Sequence, residues 1–144
     1  MVQAEDILNK KSGWKALTGT TDFGRISASL EPECKLAFDI FVDRIVGFVG
    51  SYYVKLEGRV DALVFAGGIG EKGSVLRDGV LQKCQCLGFE LDHDRNNAPV
   101  ENVIIVQDIG ADDARHRTLV CKTDEQVCQN ASQATHAQKK QANT

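Results

Sequence analysis

The feature that most constrains the fold is a short, nearly all-apolar run, Val60-Asp61-Ala62-Leu63-Val64-Phe65-Ala66, that meets a glycine-rich segment, Gly67-Gly68-Ile69-Gly70-Glu71-Lys72-Gly73. The run has the pattern of a strand buried on both faces of a sheet. Ser74 is placed to cap a helix reaching about Leu87, and Gly88 stops it. The unit reads as strand, glycine loop, helix. Upstream, Pro32 stands in an acidic first turn with Glu31 and Glu33, where the N–H it lacks would have no intrahelical acceptor. A long helix follows to about Glu57, closed by Gly58. Phe38, Phe41, Ile45, Phe48, Tyr52 and Leu56 recur at steps of three and four and form one stripe. Leu36, Ile40, Val42, Val46 and Val49 widen it so far that the helix is expected to be covered on more than one side.

The rest of the chain fits around this unit. Ala4 to Asn9 reads as a short helix, Lys10-Lys11-Ser12-Gly13 as a loop, and Thr18 to Ser29, rich in Thr, Gly and Ser, as a longer loop. Phe89-Glu90-Leu91 is extended, and Asp92 to Pro99 is a polar turn. Val103-Ile104-Ile105-Val106 and Thr118-Leu119-Val120-Cys121 are strand candidates, expected as neighbours in one sheet. Helices alternating with buried strands predict an α/β layered domain over residues 1–128. From Gln129 to Thr144 large apolar residues are absent, so this polar tail is expected to be frayed or disordered.

Composition bounds the function. With 144 residues, 42% of them hydrophobic, the chain is one domain's worth of material. A domain of this size buries roughly 68–70% of its unfolded surface without needing disulfides or metals. Lys+Arg 17 against Asp+Glu 20 gives a net charge of -3 and no basic footprint, which argues against a nucleic-acid partner. No membrane span is expected, since no stretch of about 18 uncharged apolar residues occurs. Met1 to Lys11 lacks an apolar leader segment, so a cytoplasmic protein with reduced thiols at Cys34, Cys84, Cys86, Cys121 and Cys128 is expected. The triplet Asn130-Ala131-Ser132 is read as a chance sequon.

Three readings compete for Gly67 to Gly73. A tight strand-to-helix connection needs glycine for positive φ. Nucleotide binding needs glycine so that a ligand can approach the backbone and an anion can meet a helix N-terminus. A dinucleotide fingerprint also fits, because Gly68-Ile69-Gly70-Glu71-Lys72-Gly73 satisfies G-x-G-x-x-G with Glu90 or Asp92 about 20 residues on. A Walker loop does not fit, since Lys72 is followed by Gly73 before Ser74. Thr20-Thr21-Asp22-Phe23-Gly24-Arg25 is the second candidate: an aromatic face packs on a base and a carboxylate accepts from ribose or an exocyclic amine, unless Phe23 plugs the core and Asp22 caps a turn. Lys122-Thr123-Asp124-Glu125 is the third, either a helix cap or carboxylates for Mg²⁺. His93, His116 and His136 show no ligand spacing and are expected at the surface, and Cys84 and Cys86, two apart in a helix, face different directions.

Taken in order, Ile7-Leu8-Asn9-Lys10-Lys11-Ser12-Gly13, Thr21-Asp22-Phe23, the helix from Leu36 to Gly50, Asp61 to Glu71, Leu87 to Asp92 and Thr123-Asp124-Glu125 resemble the C-terminal part of an acetate kinase. The resemblance covers about Glu5 to Val127. It implies one lobe of an actin-like, ribonuclease H-like fold shared with sugar kinases and heat-shock ATPases, and the reversible reaction of ATP and acetate to acetyl phosphate and ADP with Mg²⁺. It also implies that Gly68, Ile69 and Gly70 contact ATP, that Asp22 and Phe23 belong to the nucleotide-site loop, and that Glu125 is the metal-associated carboxylate. The family is homodimeric. Two departures stand out: Gly24 displaces Arg25 by one position, and Lys72 replaces the usual Asn. The family's Asn-x-Gly-Ser-Ser-Ser phosphate segment and its acyl-phosphate-site arginines, histidine and aspartate have no counterpart here. A truncated, inactive C-terminal part is therefore expected, with a nonenzymatic binding module or an NAD-binding unit as the alternatives.

Overall fold

The computed structural model describes residues 5, 7–8, 11–98 and 105–123. Three helices come first: α1 (Gly13–Thr18), α2 (Phe23–Ala28) and the long α3 (Pro32–Lys55). Strand β1 (Ala62–Ala66) leads directly into α4 (Gly67–Lys72), and α5 (Ser74–Cys84) ends in a 3-10 turn, Gln85–Leu87. A short α6 (His93–Asn97) precedes β2 (Val106–Asp108) and β3 (Arg117–Cys121).

The sheet has the order β1-β3-β2. β1 runs parallel to β3, in register from Ala62 opposite Arg117 to Ala66 opposite Cys121. β2 pairs antiparallel with β3, Val106 opposite Cys121, so the two late strands are neighbours as expected. Val103 and Ile104 lie outside the described residues. α3 packs against α5 at the closest approach Gly79 allows: a Cβ there would meet Phe38 and Val42 at 3.4 Å. Val42 from α3, Leu76, Val80, Leu81 and Cys84 from α5, and Phe65 and Val120 from the sheet form one core with Phe23, Phe89 and Ile109. Each such apolar side chain contributes roughly 1.5–3 kcal/mol on burial.

Several expectations are corrected. The glycine segment is a helical turn, not a loop. Gly67, at φ 73°, turns the chain out of β1, and the turn closes where the Gly73 N–H donates to the Ile69 carbonyl at 2.8 Å. The stretch from Thr18 to Ser29 contains α2, which forms because the Asp22 carboxylate accepts from the N–H groups of Gly24 and Arg25. The polar turn after Asp92 is likewise a capped helix, with the Asp92 side chain accepting from the Arg95 N–H. Neither β1 nor α3 is covered on every side: Val64 is 51% exposed and Phe48 64%, while in α3 only Cys34, Ala37 and Val42 are buried. His116 is not at the surface but buried beside Phe89, its Nε2 3.3 Å from the Tyr53 hydroxyl. His93 is exposed as expected, and His136 and the tail from Gln129 lie outside the described residues. No described helix is long and apolar enough to cross a membrane.

Candidate nucleotide site

The site follows from where β1 ends. In an open α/β sheet, ligands collect outside the carboxyl ends of parallel strands. β1 delivers α4 to that edge, and the capped start of α2 comes up beside it. Between them lies a cavity of ≈ 340 Å³ lined by Asp22, Phe23, Gly24 and Ser27 on one side and by Gly68, Ile69, Lys72 and Gly73 on the other. That is within the range of about 300–1,000 Å³ usual for small-molecule sites. Two segments 40-odd positions apart in sequence, each singled out on chemistry alone, thus share one concavity.

The predicted residues play distinct parts. Gly68 presents open space: a Cβ built there meets nothing within 4 Å. Ile69 supplies the apolar part of the same wall. Gly70 is buried on the inner side, where a Cβ would come 3.4 Å from the Phe65 backbone carbon, so its lack of a side chain serves the packing of α4 on β1. Asp22 uses Oδ1 for the α2 cap, at 2.9 Å from the Gly24 nitrogen and 3.3 Å from that of Arg25, and leaves Oδ2 without a partner among the described residues. Phe23 is only 8% exposed, its ring packed against Trp14, Phe38 and Phe41. It therefore braces the cavity from the core side. Lys72 is exposed and also lines the cavity, with no ion pair among the described residues. Glu125 lies outside the described residues, and among those described no three His, Cys, Asp or Glu side chains group as a metal site.

Two residues that shape the site were not singled out in the sequence. Arg77 is 3% exposed and has no carboxylate partner among the described residues. Its Nη1 donates to the carbonyls of Gly70 at 2.7 Å and Glu71 at 2.8 Å, its Nε to Asn96 Oδ1 at 2.7 Å, and its Nη2 to the Asn96 carbonyl at 2.8 Å. Burial pushes its pKa below the usual arginine value. The guanidinium satisfies carbonyls at the end of α4 that a single helical turn leaves without partners. A signal was present: Arg77 shares a helical face with Val80, Leu81 and Cys84, all buried, which a solvated arginine would not do. Glu71 is the other. Its Oε1 accepts from the Thr123 N–H at 2.9 Å and from the Thr123 hydroxyl at 2.8 Å, and these bonds hold its pKa below the usual glutamate value. The Gly67 N–H adds to the same lowering. The open wall at Gly68 and Ile69 leaves room for an uncharged ring.

A parallel pair of strands with a cavity at its carboxyl end, walled by a glycine turn, defines an α/β lobe with a candidate ligand site. Solved kinases share the fold. A propionate kinase from Francisella tularensis superposes with a TM-score of 0.71 at 34% identity, covering 87% of this chain and 31% of that one. An acetate kinase from Entamoeba histolytica gives 0.77 at 26% identity, covering 92% of this chain and 36% of that one. The fold is thus part of the actin-like ATPase architecture. The chain belongs to the acetokinase family, whose profile matches residues 1–130. It is also 53% identical over 128 residues to a probable acetate kinase of Emericella nidulans, covering 85% of this chain and 30% of that protein. The chain therefore spans about a third of the length of the relatives it matches.

Proposed function

We propose that this chain is the nucleotide-binding part of an acetate kinase, which with Mg²⁺ transfers the γ-phosphoryl of ATP to acetate and runs equally in reverse. The observation that carries the reading is the cavity between Asp22 and Gly68. The adenosine end of the nucleotide lies against Gly68 and Ile69, Asp22 Oδ2 accepts from ribose or the exocyclic amine, and Lys72 meets negative charge at the rim. Gly70 acts from behind this wall, and Phe23 braces it. Mg²⁺ commonly takes only one or two protein carboxylates and completes its octahedron with water and phosphate oxygens. Glu125 is the carboxylate assigned to it, and when bound the metal neutralises charge on the transferring phosphate.

Alone, the chain binds nucleotide without turning it over. Phosphoryl transfer depends on positive charge arrayed around the migrating group, and the sequence carries no phosphate segment of the Asn-x-Gly-Ser-Ser-Ser type and no acyl-phosphate cage. A cytoplasmic homodimer is the proposed state of the complete enzyme. The NAD-binding alternative is not favoured, because family membership points elsewhere and the Asp92 carboxylate is engaged in capping α6 and pairing with Arg95 at 3.2 Å. Hydroxamate detection of acetyl phosphate tests the catalytic part. We expect no product above background from this chain with Mg·ATP and acetate; robust turnover would show that the absent cage is dispensable.

A further inference from the structure

A helix of one and a half turns has no stability of its own, because nucleation fixes several dihedrals for each hydrogen bond gained. The wall-forming α4 must therefore be held by contacts from outside. Arg77 holds its rear carbonyls. A second hold lies at the exit of the sheet. β1 and β3 are parallel, with Ala66 opposite Cys121, so the chain leaves both strands at the same edge. There Glu71, in α4, takes both donors of Thr123, the second residue after β3, across 52 positions of sequence. These contacts close a ring that runs from β1 through α4, Glu71 and Thr123 to β3 and back across the ladder.

We propose that Glu71 is a positioning residue: its carboxylate straps the exit of β3 to the glycine turn and thereby fixes the wall formed by Gly68, Ile69, Lys72 and Gly73. The inference rests on reading that cavity as a nucleotide site. Glu71 Oε1 is committed to Thr123, and Glu71 is not among the residues lining the cavity, so it acts on a ligand through the turn. A charged acceptor makes stronger bonds than a neutral one, yet both partners are solvent-accessible, so a moderate effect is expected.

The test compares the parent chain with Glu71→Ala, Glu71→Gln and Thr123→Val. Amide hydrogen exchange reads the strap at Thr123 and the turn at Gly73, with the Leu56 amide, bonded to the Tyr52 carbonyl at 2.9 Å, as a control at the end of α3. Fluorescence of Trp14, the one tryptophan, its ring centroid 5.1 Å from that of Phe23 and tilted to it by 35°, reads ADP binding. In Glu71→Ala the Thr123 and Gly73 amides should exchange about tenfold faster, and ADP affinity should fall about fivefold, with Leu56 unchanged. Glu71→Gln keeps an acceptor oxygen and should stay within about twofold of the parent, with Thr123→Val between. Unchanged Gly73 exchange in Glu71→Ala overturns the proposal, as does faster exchange with unaltered affinity, which would make the strap structural only. A parent chain that binds no ADP would refute the nucleotide reading instead, and the exchange data would still decide whether Glu71 fixes the wall.

Discussion

At the scale of the residue, glycines within one motif do different work. Gly68 faces empty space and Gly70 faces the Phe65 backbone at 3.4 Å. Gly68→Val should therefore fold with stability within about 0.5 kcal/mol of the parent and lose at least about tenfold in ADP affinity, because the new side chain enters the cavity. Gly70→Val should instead lose about 2 kcal/mol through overpacking against β1. Thermal denaturation paired with ADP titration separates the two, and equal behaviour of both variants would contradict the placement. Glu71 supplies a pH prediction. Its folded pKa is depressed by Thr123, so its contribution to stability is complete above the unfolded glutamate value of about 4.3 and is lost as pH falls through the lower folded value. Carbon-13 titration of the Glu71 carboxyl should place its midpoint below the ordinary glutamate range, and a normal midpoint would mean the Thr123 bonds are not formed in solution. The open approach at Gly68 was legible in the sequence, whereas the Glu71 contact was not. Glu71 read as one position of a glycine motif, and its partner lies 52 residues away.

At the scale of the element, the strongly patterned pieces were readable and the one-turn pieces were not. Pro32 and the three-four spacing marked α3 to within two residues of its end at Lys55, and the apolar runs marked β1 and β3. α1, α2, α4 and α6 each have five or six residues, too few for a period, and each depends on something outside its own spacing. Asp22 makes α2 and Asp92 makes α6, both by capping, while Arg77 and Glu71 hold α4. The bland local reading of Asp22 as a cap and Phe23 as a core plug describes what those side chains do, and it coexists with their place on the cavity. Asp22→Ala should cost about 1 kcal/mol of stability and weaken ADP binding as the start of α2 loosens. Calorimetric melting with and without ADP checks both, and an unaltered melting temperature would deny the cap its role.

At the scale of the whole molecule, hydrophobic pattern and described burial disagree in a consistent direction. Val64 on β1, Phe48 and Tyr52 along α3 and Leu56 just past its end are apolar, in positions the sequence pattern marks as covered, and all are at least half exposed. The chain matches about a third of each relative's length. On the proposed reading, the cavity supplies one wall for a nucleotide, and the family's phosphate segment and acyl-phosphate-site residues have no counterpart in this sequence. Calorimetric titration of the chain with Mg·ATP and, under identical conditions, with NADH tests this most directly. The account predicts saturable one-to-one binding of Mg·ATP that Gly68→Val weakens, and no heat from NADH. Binding of NADH without ATP, or ATP binding indifferent to Gly68→Val, would contradict it.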